Sequence, residues 1–240
     1  MLGRFKRRPA AVPETHGHGE AAGSPRWPLE VWQRDDLRAE GPGYAGLCLT
    51  PAFREEPEAR SLRDGDGMGR IIDVAKTEGM DSPAMARVVD ELLAEPRYAA
   101  LDTLYSWLAP VHRGTDRQLE VIEHGLRTCP RKYKLLELAG TAMLQRGRSA
   151  AALYYWAQSV VNAESIGEGP DASAYDFLIV VAHLAGQRGA VKAFRARTGE
   201  ADHPEIVLDD EYTELVETAF RKPAKEMKAA IQALAGRISA

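Results

Sequence analysis

Two cysteines, Cys48 and Cys129, are all that this 240-residue chain contains. They form no CxxC pair and no disulfide framework, so a reducing compartment is expected. Long apolar runs are also missing. The most apolar stretch, FLIVVAHLAG at 177–186, falls well short of the roughly 20 residues that span a bilayer. The basic start MLGRFKRRPAAVPETHGHG has no apolar core segment and does not read as a secretory signal. Neither sign of charge dominates: 31 Lys and Arg stand against 35 Asp and Glu, a net charge of −4. That balance gives no general attraction to nucleic acid or to an anionic membrane. The expectation is a soluble, cytoplasmic protein without membrane contact.

Catalytic signatures are equally scarce. No GxSxG, HExxH or Cys–His pattern is present. GPGYAG at 41–46 fits GxGxxG, but no strand precedes it and Pro42 lacks the N–H that a phosphate cradle needs. DGDGMG at 64–69 resembles the start of a calcium loop, yet no Glu follows at the required spacing. His16 and His18 have no nearby third ligand, and His112, His124 and His183 fall on different predicted helices. No enzyme activity, no cofactor and no metal site are expected.

What is there divides the chain in two. Residues 1–66 carry Pro9, Pro13, Pro25, Pro28, Pro42, Pro51 and Pro57 among many glycines, which interrupt any helical period. This arm reads as irregular or disordered. A short helix at 29–38 is possible within it, and islands such as Trp27, Trp32 and Phe53 are suited to docking on a folded surface.

Residues 67–240 read as a helical domain. Asp81-Ser82-Pro83 has the chemistry of a helix start. Met85, Val88, Val89, Leu92 and Leu93 then recur at i, i+3, i+4, i+7 and i+8 as one apolar stripe. After this helix at 81–95, further helices are predicted near 98–110, 116–128, 132–146, 148–163, 172–187, 189–197, 209–220 and 224–238. No alternating strand pattern competes with them, so the class is all-α.

Shifting the chain by 34 residues brings Leu101 onto Leu135, Leu104 onto Leu138 and Ser106 onto Gly140. The same shift pairs Leu119 with Leu153, Ile122 with Trp156, Gly125 with Ser159 and Leu126 with Val160. Large apolar residues meet large ones and small meet small. A period near 34 with two helices per unit resembles the tetratricopeptide repeat (TPR). Gly140 then takes the small position of a first helix, Gly147 the turn, Ala152 the small position of the second helix and Trp156 its aromatic position. The resemblance covers roughly residues 99–198. A third unit is suggested by QRG recurring at 187–189 after 145–147, a shift of 42 that needs an eight-residue insertion.

The resemblance implies an antiparallel helix-hairpin solenoid of about three TPR-like units, with the helices at 81–95 and 224–238 as caps. Its first helices would line a groove for a peptide or helix of a protein partner. The groove positions would be Thr103 and Trp107 in the first unit, Lys134, Glu137 and Thr141 in the second, and His183 in the third. Family members that clamp acidic chaperone tails use a Lys and an Asn at two of these positions, and neither matches here. Trp107 is read either as a groove anchor or as core covered by the 81–95 helix.

Three charge patterns leave alternatives open. Arg4, Lys6, Arg7 and Arg8 allow a regulatory or nucleic-acid-associated role, though four charges bind weakly and nucleic acid is disfavoured. Arg127, Arg131, Lys132 and Lys134 bracket the corner between two units, either serving helix ends or forming a ligand patch. Near the C-terminus, residues 200–217 are acidic without a Lys or Arg, while Arg221, Lys222, Lys225, Lys228 and Arg237 follow. Two faces that pair with each other, or an acidic surface for a basic partner, both fit that asymmetry.

Overall fold

Helix starts and stops follow local chemistry. The Ser82 hydroxyl accepts a hydrogen bond from the Met85 N–H at 3.1 Å, satisfying one orphan donor, while Pro83 opens the helix at a position where its missing N–H costs nothing. The structure, a computed structural model, describes residues 66–169, 172–198, 208, 210–223 and 225–239. The helix expected at 29–38, the docking islands and the basic residues Arg4 to Arg8 lie outside the described residues.

Among the described residues the secondary structure is helical, with no strand. The helices are α1 (Gly67–Thr77), α2 (Pro83–Leu93), α3 (Asp102–Val111), α4 (Asp116–Thr128), α5 (Tyr133–Gln145), α6 (Ser149–Ser165), α7 (Ala174–Leu184), α8 (Arg188–Thr198), α9 (Asp210–Phe220) and α10 (Lys225–Ser239). Apart from α1, which is not among the predicted helices, the periodic stripes locate these elements to within a few residues. The largest offset is at α3, which starts at Asp102 rather than near 98. Residues before it form turns that bury Tyr98, and Leu101 is extended.

Short turns join α3 to α4, α5 to α6 and α7 to α8, and the two helices of each pair pack on one another. Short connections of this kind make antiparallel hairpins. Neighbouring hairpins are linked by contacts of α3 and α4 with α5, and of α6 with α7. At one end α2 packs on α3 and α1 on α2. A single buried cluster runs through the described helices from Ile71 to Ala235.

The last two helices turn back. α9 packs on α5 and α7, the first helices of the second and third hairpins, whereas α10 packs on α8 and α6, the second helices of the same two. The third and second hairpins are therefore covered on both faces by the chain's own C-terminal segment.

The turns of the second and third hairpins share one geometry. Gly147 has φ +72° and Gly186 φ +71°, left-handed values that favour glycine. The Arg148 N–H reaches back to the Met143 carbonyl, and the Gln187 N–H reaches back to that of Ala182, both at 2.9 Å. Gly147 and Gly186 are thus equivalent, and the shift between these hairpins is 39 residues (186 − 147 = 39). The second QRG motif misleads by three places, because its Gly189 lies inside α8.

Candidate functional site

The side chains predicted to line a groove sit on α3, α5 and α7. On α5, Lys134 is half-buried with its ammonium 5.8 Å from the centre of the Tyr133 ring. Thr141 is buried, and its hydroxyl donates to the Glu137 carbonyl one turn back at 3.1 Å. On α3, Thr103 and Trp107 are both half-buried, with Trp107 packed against the core. His183, in the last turn of α7, is exposed. Registering the hairpins by their turns moves the counterpart of Thr141 from His183 to the half-buried Val180 (141 + 39 = 180).

Glu137 has the most perturbed environment of this set. Burial pushes its carboxyl up to about 7, and the nearby Asp176 carboxylate adds to the effect. Lys134, the Ser173 hydroxyl and the Ala174 N–H at the start of α7 oppose the rise without cancelling it. Asp176 is the positional counterpart of Glu137 on the next hairpin (137 + 39 = 176). Two acids at one register position of successive first helices face each other, which disfavours ionising both. A half-buried carboxyl with a like-charged neighbour is the kind of group that marks functional sites. Its chemistry on this face is to hold or release a proton as the surroundings change.

Across α5 and α7 lies α9. The indole of Trp156, on α6, comes through the seam between α5 and α7. A Cβ added at Gly140 of α5 would sit 2.5 Å from two indole atoms. On the other side the indole stacks on Phe177 of α7, with ring centres 4.5 Å apart and planes 10° apart. It then meets Phe220 of α9 at 6.2 Å. Tyr212, two turns before Phe220, packs its ring edge-on against Phe177 at 5.8 Å. An Arg113 Nη2 donates to the Tyr212 hydroxyl at 2.9 Å, with the guanidinium 5.7 Å from the ring centre. α9 is therefore an amphipathic helix laid across the first helices, with Val216 and Phe220 fully buried and Glu214 and Glu217 exposed.

The basic corner group is largely engaged within the chain. Arg131 bonds Glu168 at 2.8 Å through Nη2 and approaches Asp102 at 3.6 Å through Nε, which ties the corners of three hairpins together. Burial still holds the Asp102 carboxyl above its ordinary range, against the pull of Arg131 and Lys134. Arg127 pairs with Glu123 one turn back. The Lys132 N–H donates to the buried Asn162 side chain at 3.4 Å. Burial raises the Cys129 thiol to about 12, so it stays protonated and inert. Farther along, burial pushes the Glu164 carboxyl up, but bonds from Arg197 and the Tyr175 hydroxyl outweigh it and leave Glu164 below its ordinary range.

Among the described residues no group of three or more His, Cys, Asp or Glu is placed to hold a metal ion, and no helix is long and apolar enough to cross a membrane. The cluster of Arg113, Phe177, Tyr212 and Phe220 was missed by sequence reasoning. Its signal was present in EYTELVETAF, where Tyr212, Val216 and Phe220 recur every four residues. What the spacing cannot say is which surface receives that stripe. No protein-family model matches the chain, and no curated protein or solved structure matches it either.

Proposed function

We propose that this chain is a non-catalytic, cytoplasmic interaction protein, an adaptor or scaffold. In this reading its TPR-like hairpins form a short solenoid whose first helices take a peptide or helix of a partner protein. One observation carries the reading: an amphipathic helix, α9, already lies across α5 and α7 with aromatic anchors seated between them. A surface that packs one amphipathic helix has the shape and apolar seam for another, the helix-in-groove mode of recognition. The half-buried Trp107 on α3 and Lys134 on α5 combine apolar body and charged rim, as binding surfaces do.

Photo-crosslinking amino acids placed singly in the full chain test this directly. Positions 103, 134 and 180 report on the first helices; Arg117 on α4 and Lys192 on α8 report on the second helices. In an extract of the native cell, one partner protein should crosslink from the first three positions and not from the last two. Crosslinking of that partner only from Arg117 and Lys192 would move the binding surface to the opposite face and overturn the proposal.

A further inference from the structure

The same face shows what kind of helix it takes, and that it is occupied in cis. We infer, on the strength of the interaction reading above, that the α5–α7 face binds an amphipathic partner helix and that α9 is its built-in competitor. The required stripe is an aromatic hydroxyl, an aliphatic residue and a second aromatic, four residues apart.

α9 itself supplies the specification. Tyr212, Val216 and Phe220 lie at i, i+4 and i+8, so they share one face of an α-helix. Phe220 meets Trp156 where that indole emerges between Gly140 and Phe177. Tyr212 sits eight residues away, about 12 Å along a helix, where its ring covers Phe177 and its hydroxyl accepts from Arg113. Apolar contact selects the two rings, and Arg113 selects an oxygen at the first anchor. The outward positions Glu214 and Glu217 are exposed carboxylates, so an acidic outer face is compatible with docking.

Like several other helices of the chain, α9 is held by docking rather than by itself. It has 11 residues, below the roughly 12–15 at which an isolated helix becomes even marginally stable in water. Tethering replaces that intrinsic stability with an effective concentration on the order of millimolar. A partner helix with the same stripe must overcome that local competitor. Its apparent affinity is reduced by the fraction of molecules in which the face is open.

A fluorescein-labelled synthetic peptide of residues 208–222 probes this with the full-length chain. Two variants weaken α9 by different routes. Phe220→Ala removes an anchor, while Glu217→Pro breaks the helix from its exposed side and leaves every anchor in place. Both variants should bind the peptide at least tenfold more tightly than the unaltered chain. A peptide with Ala at positions 212, 216 and 220 should not bind. Equal binding to unaltered and variant chains shows that α9 does not compete and overturns the inference, while crosslinks from the first helices would leave the interaction reading intact. Absence of binding to folded variants overturns the specification. Unfolding of both variants shows that α9 is a fixed part of the core, which also overturns it. Conversely, tight peptide binding to the variants with crosslinks confined to α4 and α8 would leave a competing α9 but sink the assignment of the face.

Discussion

The second hairpin, α5 with α6, and the first, α3 with α4, solve the same crossing problem in opposite senses. In the second, the gap is on the first helix at Gly140 and the bulk is Trp156 on the second. In the first, the gap is on the second helix: a Cβ at Gly125 would meet Leu135 at 2.8 Å and the Tyr105 ring at 2.9 Å. The 34-residue shift pairs Ser106 with Gly140 and Ile122 with Trp156, so it registers size correctly without revealing this exchange. Close packing needs the volumes on both sides of a crossing to sum correctly, and it is indifferent to which helix contributes the smaller one. Only the second arrangement sends an aromatic ring through to the far side, where α9 docks.

The largest effect should follow from breaking the second crossing. Trp156→Ala removes a fully buried ring stacked on Phe177 and is expected to cost about 3–5 kcal/mol in urea denaturation. Gly140→Leu forces bulk into the same contact and should cost about 3 kcal/mol, the upper part of the overpacking range. Gly140→Ala should destabilise the unaltered chain yet stabilise the Trp156→Ala chain by up to ~1 kcal/mol, because helix propensity acts unopposed once the indole is gone. An equal change in both backgrounds would show that Gly140 and Trp156 are not coupled.

A smaller effect separates the hairpins by pH. Position 137 is Glu in the second hairpin, and its counterpart in the first is the uncharged Thr103 (137 − 34 = 103). Burial and Asp176 raise the Glu137 carboxyl from 4.5 to about 7 on folding. Between those values the folded chain binds more protons than the unfolded one, so this group's contribution to stability falls as pH rises through that window. A tenfold change in proton affinity is about 1.4 kcal/mol, which makes the total loss about 3–4 kcal/mol. Glu137→Gln should flatten this part of the stability profile between pH 4.5 and 7 and melt higher than the unaltered chain at pH 8. An unchanged slope in the variant would place the titration elsewhere.

The smallest effect is expected at the first crossing. Gly125→Ala must displace a Leu135 methyl, which rotates, and shift the Tyr105 ring, which has less room. The net cost should be about 1 kcal/mol by thermal melting, after the gain in helix propensity. A loss as large as that of Gly140→Ala would mean that the two crossings are equally rigid.

Much of the helical framework was legible because its signals are local. Ser82 before Pro83 marks the start of α2, and the stripe from Met85 to Leu93 marks its buried face. The packing role of Gly140 could be read from a small residue amid large ones at a recurring interval. The third hairpin shows the limit of that method. A repeated tripeptide pointed to Gly189 and thence to His183, whereas the hydrogen-bonded turn at Gly186 assigns the position to Val180. Letters recur by composition, but turn equivalence is a matter of backbone geometry.

The sequence by itself determined most of the helices, the turn at Gly147 and the sizes of the residues at the second crossing, since all of these depend on neighbours within a few positions along the chain. Only the tertiary structure decided that Trp156 passes between α5 and α7, that Arg131 joins Asp102 and Glu168, and that α9 turns back to lie over the first helices. Those arrangements join residues dozens of positions apart. An amphipathic stripe such as Tyr212, Val216 and Phe220 states only that a helix must bury one face. Which surface receives that face follows from the shape and chemistry of the assembled hairpins, where an indole edge, a phenyl ring and a guanidinium converge.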